Sequence, residues 1–75
     1  MNDYAIDAHW DAEAQVWVAT SDDLPGLVTE ADTVEALLIK LRVIIPELLE
    51  CSGSSVTADI PFSLHTRRHD VAHAA

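Results

Sequence analysis

The sequence predicts an α+β domain with the element order βββαβ, in which one helix packs across an antiparallel-type sheet. The first observation is a helical period of apolar residues over positions 33–50. The second is strand-like alternation of apolar and polar residues on both sides of that segment. The third is strong turn chemistry at Pro25 and Gly26 between two short apolar segments. The predicted strands span residues 4–10, 16–21, 27–31 and 56–64.

The chain has 75 residues, which is enough for one domain and leaves no room for a second. We assign residues 1–66 to that domain and expect residues 67–75, RRHDVAHAA, to form a disordered tail. Pro61 lacks a backbone N–H, so the last predicted strand is expected at an edge of the sheet.

The second predicted strand is apolar on both of its faces. Val16 and Val18 lie on one face, and Trp17 and Ala19 lie on the other. A strand of this kind is usually covered on both sides. We therefore expect the helix to cover one face and a second subunit to cover the other. In the first strand, the residues predicted to share the core-facing side are Tyr4, Ile6, Ala8 and Trp10.

A tight turn is predicted where the second strand ends. Pro25 fixes φ for the second position of the turn, and Gly26 permits the positive φ of the third position. The adjacent carboxylates Asp22 and Asp23 point in opposite directions, so they are poorly placed to share a metal ion. We expect them to stabilise the turn through their side chains.

The predicted helix carries recognisable signals at its start and inside its second half. Asp32 is the expected N-cap, with Glu35 completing a capping-box-like pair, and Thr33 is the alternative cap. Pro46 cannot donate to the carbonyl of Arg42, so we expect a kink or a restart of the helix there. The stripe expected to face the sheet contains Val34, Leu37, Leu38, Leu41, Ile45, Leu48 and Leu49.

Ile39 and Val43 lie nearly opposite the core-facing stripe of the helix and four residues apart, so they are neighbours on its surface. A domain of this size is marginally stable alone, and the single cysteine, Cys51, excludes an internal disulfide. We therefore expect a homodimer or higher homo-oligomer, with Ile39, Val43 and Trp17 as contact residues. Cys51 is expected to be a buried, inert thiol, with a disulfide between subunits as the alternative.

The chain is strongly acidic, with 4 basic and 13 acidic residues and a net charge of -9. This charge repels phosphate backbones, which argues against unaided nucleic-acid binding. It favours a basic protein partner, although an acidic surface also keeps a small protein soluble. The sequence contains no apolar run long enough for a membrane span and no signal-peptide pattern, and we expect a cytoplasmic protein without a membrane association.

Candidate chemical groups are sparse. His65, His69 and His73 have a spacing that would place them on one face of a helix, where they could bind zinc or nickel. A short terminal segment rarely holds a helix unaided, so a solvated tail is the favoured interpretation. We accordingly predict no metal site.

Three carboxylates permit a nuclease hypothesis, since Asp7, Glu35 and Asp59 could be imagined as ligands of two metal ions. Each has a simpler interpretation as an outward strand residue or part of a helix cap. No nucleophile elbow and no glycine-rich phosphate loop is present. The residues therefore predict a protein that is not an enzyme and needs no cofactor.

Residues 17–33, WVATSDDLPGLVTEADT, together with the helix that follows, resemble the N-terminal domain of HicB-type antitoxins. In that family a strand leads into an acidic D-x-P-G-like turn, then a strand, then an A-D-T-like helix start. Asp23, Pro25 and Gly26 match the turn, and Asp32 lies within the helix start. The closer match looks like a short uncharacterised domain family related to HicB. The resemblance covers residues 4–64.

The resemblance implies a βββαβ fold like a truncated ribonuclease H without its active site. It implies a non-enzymatic protein-interaction domain that neutralises a small basic HicA-type mRNA interferase and self-associates. HicB antitoxins usually carry a C-terminal DNA-binding module, and the chain ends within about ten residues of its last predicted strand. Operator binding is therefore not expected. The alternative function is a stand-alone homo-oligomeric domain that binds a ligand between its subunits.

Overall fold

The computed structural model of the chain describes residues 3–51, 53 and 59–74. Its elements follow the order βββαβ, as the sequence predicts, with one helix against one sheet. The elements are β1 Tyr4–Asp11, β2 Val16–Thr20, β3 Val28–Ala31, α1 Val34–Cys51 and β4 Phe62–Arg67.

The sheet has four strands in the order β3-β2-β1-β4. β2 pairs antiparallel with both β1 and β3, whereas β4 pairs parallel with β1. The sheet is therefore mixed, whereas we expected an antiparallel-type sheet. The physical reason is the crossover: α1 carries the chain back along the sheet before β4 begins, and a strand that follows such a crossover runs parallel to its neighbour.

The core lies between α1 and one face of the sheet. Leu37, Leu41 and Ile45 are fully buried, which confirms the centre of the predicted helical stripe. Leu48 and Leu49 are half-buried and pack against the same cluster. The remaining buried residues come from the strands and from the loop between β2 and β3, and they are Ile6, Ala8, Ala19, Leu24, Leu27 and Ala31.

The predicted tight turn is confirmed. The N–H of Leu27 donates to the carbonyl of Leu24 at 3.1 Å, which closes a four-residue turn around Pro25 and Gly26. Gly26 has a φ of 91°. Pro at the second position and positive φ at the third define a type II turn.

Replacing Gly26 by Ala is expected to destabilise the fold by about 1–2 kcal/mol, because an L residue with a side chain resists positive φ. A Cβ at this position would meet no atom within 4 Å, so the cost is purely conformational. Urea denaturation followed by circular dichroism measures it. Gly26→Asn is the matched variant and should cost less, since Asn tolerates left-handed backbone. Equal stability of all three proteins would contradict the turn assignment.

The start of α1 is capped by Thr33, the alternative cap, and not by Asp32. The Oγ1 of Thr33 accepts from the N–H of Ala36 at 3.0 Å, and its carbonyl accepts from the N–H of Leu37 at 3.0 Å. With Thr33 at the cap, Glu35 occupies the second helical position, one residue too early to complete a capping box. Its carboxylate still lies in the first turn, where it favours the helix dipole.

The end of α1 differs from expectation in two respects. The helix continues through Pro46 to Cys51 without the restart that we expected. Cys51 is exposed, which corrects the prediction of a buried thiol, because the last helical residue lies beyond the part of α1 that covers the sheet. Gly53 has a φ of 90°, and its N–H donates to the carbonyl of Glu50 at 3.0 Å, as expected of a left-handed cap.

The last strand begins later than predicted. β4 spans Phe62–Arg67, whereas the alternation predicted residues 56–64, of which 56–58 lie outside the described residues. Pro61 precedes the strand, and its carbonyl accepts from the N–H of Tyr4 at 3.2 Å. β4 lies at an edge of the sheet, as expected. Arg67 belongs to this strand, and residues 68–74 have no regular secondary structure.

Candidate functional site

Within residues 3–51, 53 and 59–74, α1 covers one face of the sheet and no segment covers the other, which we call the open face. Alternation along each strand and the pairing register place Ile6, Ala8 and Ala19 on the covered side. Their neighbours in sequence point the other way. The open face consists of Ala5, Asp7, His9, Asp11, Val16, Val18, Thr20, Val28, Glu30, Ser63, His65 and Arg67. The carboxylate of Asp11 turns into the β1–β2 loop, where it accepts from the N–H groups of Glu13 and Ala14.

The register arranges the open face in rows that cross all four strands. One row runs Glu30, Val18, His9 and Arg67, from β3 to β4. This row therefore has an acidic residue at the β3 edge and a basic residue at the β4 edge. The adjacent row runs Val28, Thr20, Asp7 and His65 in the same strand order.

The open face is uncovered because neighbouring segments fold toward the other side. The loop after β2 buries Leu24 and Leu27 in the core beneath α1. The guanidinium of Arg68 lies 4.3 Å from the ring centroid of Trp10, on the covered side of β1. As a result, Val28 on the open face is 71% exposed. Large exposed aliphatic side chains on a sheet face indicate an interaction surface when they lie together.

A side-chain clasp fixes the end of the sheet where the pairing of β1 and β2 stops. The Asp23 Oδ2 accepts from the N–H of Ala5 at 2.8 Å, and the Ser21 Oγ donates to the carbonyl of Ala5 at 2.6 Å. The N–H of Asp23 also donates to the Ser21 Oγ at 3.1 Å. The Asp23 carboxylate therefore stabilises the loop, as expected, but by bridging to β1. The contact of Ser21 could not be predicted from its sequence neighbours, because its partner Ala5 lies sixteen residues away.

The three predicted contact residues do not form one surface. Ile39 and Val43 are 61% and 56% exposed on the outer side of α1, as the helical period predicts. Trp17 lies on the covered side of the sheet, half-buried against the core. Its ring packs edge-to-face on Trp10 with a centroid distance of 5.4 Å. Trp17 therefore does not extend the surface formed by Ile39 and Val43, and the role of that pair in self-association stays a prediction.

A cleft of about 380 Å³ opens between the second half of α1 and the segment that leads into β4. Leu41, Ile45 and Phe62 contribute to its apolar wall, and Arg42 and Asp59 also line it. The predicted structural residue Pro46 belongs to this wall too. Asp59 directly follows residues 54–58, which lie outside the described set.

The residues considered for chemistry are not brought together. His65 lies in β4, and no helix forms over residues 68–74, so His65, His69 and His73 do not share a helical face. Asp7 lies on the open face, whereas Glu35 lies in the first turn of α1. Within residues 3–51, 53 and 59–74, no group of three or more His, Cys, Asp or Glu could hold a metal ion, and no polar side chain is buried.

The described part of the chain contains one helix, α1, and it is not long and apolar enough to cross a membrane.

Comparison with known proteins gives a family and one solved structure. No curated protein matches the chain significantly. The chain is similar to a hypothetical protein, TTHA1013, from the extremely thermophilic bacterium Thermus thermophilus, which has a solved crystal structure. The two sequences are 48% identical. The match covers 95% of this chain and 100% of that chain, with a TM-score of 0.79. The family model of a domain of unknown function, DUF1902, matches residues 3–73. The chain belongs to this DUF1902 family.

Proposed function

We propose that the chain is a non-enzymatic protein-interaction domain of the HicB antitoxin type, which binds a small basic partner such as a HicA-type mRNA interferase. The observation that carries the proposal is the strongly acidic surface. Of the 13 acidic side chains, all except the half-buried Asp11 are exposed. The resemblance of residues 17–33 to HicB-type domains supports the choice of partner.

Three exposed acidic side chains, Glu13, Asp32 and Glu35, lie at one end of the domain, which we call the acidic end. Pairing of Trp17 with Ala31 places the end of β3 beside the start of β2. The β1–β2 loop, which carries Glu13, therefore lies at the same end of the sheet as the start of α1. A basic partner that docks here meets exposed carboxylates, and electrostatic complementarity would accelerate its association.

A docking role agrees with the chemistry of the described residues, which offers no buried polar group for catalysis. Enzyme sites usually place polar groups with perturbed pKa values in a cleft. Here the cleft is walled mainly by apolar side chains, and its charged residues, Arg42 and Asp59, are exposed. Binding through a surface is the function that this arrangement supports best.

The first test is recovery of the untagged protein from its own host at low and at high salt, followed by mass spectrometry. We expect a stoichiometric small basic protein at low salt that is lost at high salt, because salt screens exposed charges. Expression of that partner alone should arrest growth, and co-expression of this chain should restore it. Recovery of the chain without a partner at both salt concentrations would contradict the proposal.

Two matched triple variants locate the interface once the partner is in hand. Glu13→Gln with Asp32→Asn and Glu35→Gln removes the acidic end. The control neutralises Glu47, Glu50 and Asp59 near the other end of α1, where Glu47 and Glu50 lie about 18–22 Å from Glu35 along the helix. Both variants remove three negative charges. We expect the first to weaken binding by about tenfold or more and the control to have a much smaller effect. Equal weakening would show that total charge alone drives binding.

A stand-alone homo-oligomeric domain is the second candidate, and the open face favours it. Val16 and Val18 remain only half-buried there, and the exposed Val28 lies diagonally from Val18 on the neighbouring strand. This candidate predicts a stable homo-oligomer and no basic partner. Recovery of a basic partner therefore separates the two candidates, although the acidic end and the open face share no residue.

A further inference from the structure

We propose that the open face binds the open face of a second copy of this chain, with a two-fold axis that lies between the two sheets and runs parallel to the strands. This inference rests on the second candidate function, the homo-oligomeric domain, and does not depend on the binding of a basic partner. It rests on the order of side chains along the two rows of the open face.

A two-fold axis parallel to the strands places each row of one copy opposite the same row of the second copy. The order of the four residues in the row of the second copy is reversed. Glu30 at the β3 edge then lies opposite Arg67 of the second copy, and Arg67 lies opposite Glu30 of the second copy. Val18 and His9, between them, exchange places in the same way. One symmetric contact therefore forms two opposite-charge pairs, one at each edge of the interface, without placing like charges together.

The second row is complementary under the same operation. Asp7 lies opposite Thr20 of the second copy, whose hydroxyl can donate to the carboxylate. Val28 lies opposite His65 of the second copy at the edge. The axis passes between the two central strands, β2 and β1. No residue of this row therefore faces the same residue of the second copy.

The other two-fold axis in the plane of the contact, perpendicular to the strands, gives a worse match. It exchanges the two rows, so Arg67 lies opposite His65 of the second copy. Glu30 then lies opposite the apolar Val28, which leaves its charge buried without a partner. His9 gains Asp7 as a partner in this arrangement, but both edges lose their ion pairs. The charge pattern therefore favours the axis parallel to the strands.

Sheet twist is compatible with this pairing. Two sheets packed face to face are rotated by about 30° relative to each other. The outer strands of a four-stranded sheet lie about 14 Å apart, so each edge is about 7 Å from the axis. The rotation displaces an edge residue by about 4 Å, which the long side chains of Glu30 and Arg67 can span.

The size of the open face predicts a weak dimer. Four strands at their usual spacing make a face about 19 Å wide, and five paired residues extend about 17 Å along it. This footprint is smaller than the roughly 800 Å² per partner of a standard interface. We expect a dissociation constant of about 1–100 μM, set by Val18 near the centre of the interface and by the two edge pairs.

Charge exchange between Glu30 and Arg67 is the decisive experiment. Glu30→Arg places an arginine opposite Arg67 of the second copy, and Arg67→Glu places a glutamate opposite Glu30. Each single variant is expected to weaken the dimer by about tenfold or more in sedimentation equilibrium. The double variant restores opposite charges and should return to within about threefold of the original dissociation constant. Both residues are exposed, so circular dichroism should show an unchanged fold.

A second pair of variants separates this interface from the outer side of α1. Val18→Lys should give a monomer. Ile39→Glu with Val43→Lys tests the competing contact predicted from the helical period, and we expect it to leave the open-face dimer intact. The proposal is overturned if the original chain is monomeric at 0.5 mM, about fivefold above the weakest expected dissociation constant. It is also overturned if the α1 variant alone abolishes the dimer, or if the double charge variant is as weak as either single variant.

Discussion

Replacing Leu41 by Ala is expected to lower the free energy of unfolding by about 3 kcal/mol. Leu41 is 0% exposed and lies at the middle of α1, between the fully buried Leu37 and Ile45. Removing its side-chain carbons loses their burial and leaves a cavity that the surrounding core fills only in part. A domain of 75 residues has a stability of about 4–11 kcal/mol, so the loss is a large share of the total. Urea denaturation measured by circular dichroism gives the change.

Ile39→Ala is the matched control, because it removes a similar aliphatic side chain from the same helix. Ile39 is 61% exposed, so its truncation should cost less than about 0.5 kcal/mol. Both variants should be measured at low protein concentration, so that self-association does not contribute to either free energy of unfolding. A larger cost at Ile39 than at Leu41 would mean that the opposite side of α1 packs on the sheet.

The features that could be predicted from the sequence are those set by residues close together along the chain. The alternation of β1 is confirmed, since Ile6 and Ala8 are buried while Asp7 and His9 are exposed. The stripe of α1 and the Pro25 turn are confirmed for the same reason. A period or a turn depends on neighbouring residues, and these are visible in the sequence.

The features that could not be predicted depend on partners distant in the chain. The parallel pairing of β1 with β4 arises from the path of the crossover, which no local pattern encodes. The clasp joins Asp23 to Ala5 across eighteen residues. The choice of Thr33 over Asp32 as the cap is local, but both side chains can cap a helix, and the backbone path decides which one does.

Less of the candidate site than of the fold could be predicted. The apolar character of both β2 faces indicated that one face would lack a cover from the helix, and Val16 and Val18 do lie on the open face. The complementary rows could not be recognised, because they need the register of all four strands. Glu30 and Arg67 are 37 positions apart in sequence and become ends of one row only through β1 and β2.

Replacing Ala19 by Leu is expected to destabilise the fold by about 2–3 kcal/mol, through overpacking. Ala19 is 0% exposed and pairs with Ala8, which is also buried, on the covered side of the sheet. Cα atoms of α1 come within 8 Å of β2 and of β3. Ala19 belongs to the same buried cluster as Leu37, Leu41 and Ile45 of α1, so a larger side chain there has no free space to enter. Thermal and urea unfolding both report the loss.

Ala5→Leu provides the control for Ala19→Leu, since it makes the same chemical change in the neighbouring strand on the exposed side. Ala5 lies on the open face, where added carbons meet solvent in the monomer, so at low protein concentration the change should cost less than about 0.5 kcal/mol. Leu has a similar strand preference at both sites, and the difference between the variants therefore isolates the packing of α1 on β2. If Ala19→Leu were tolerated as well as Ala5→Leu, the helix would have to stand farther from the sheet than its Cα distances indicate.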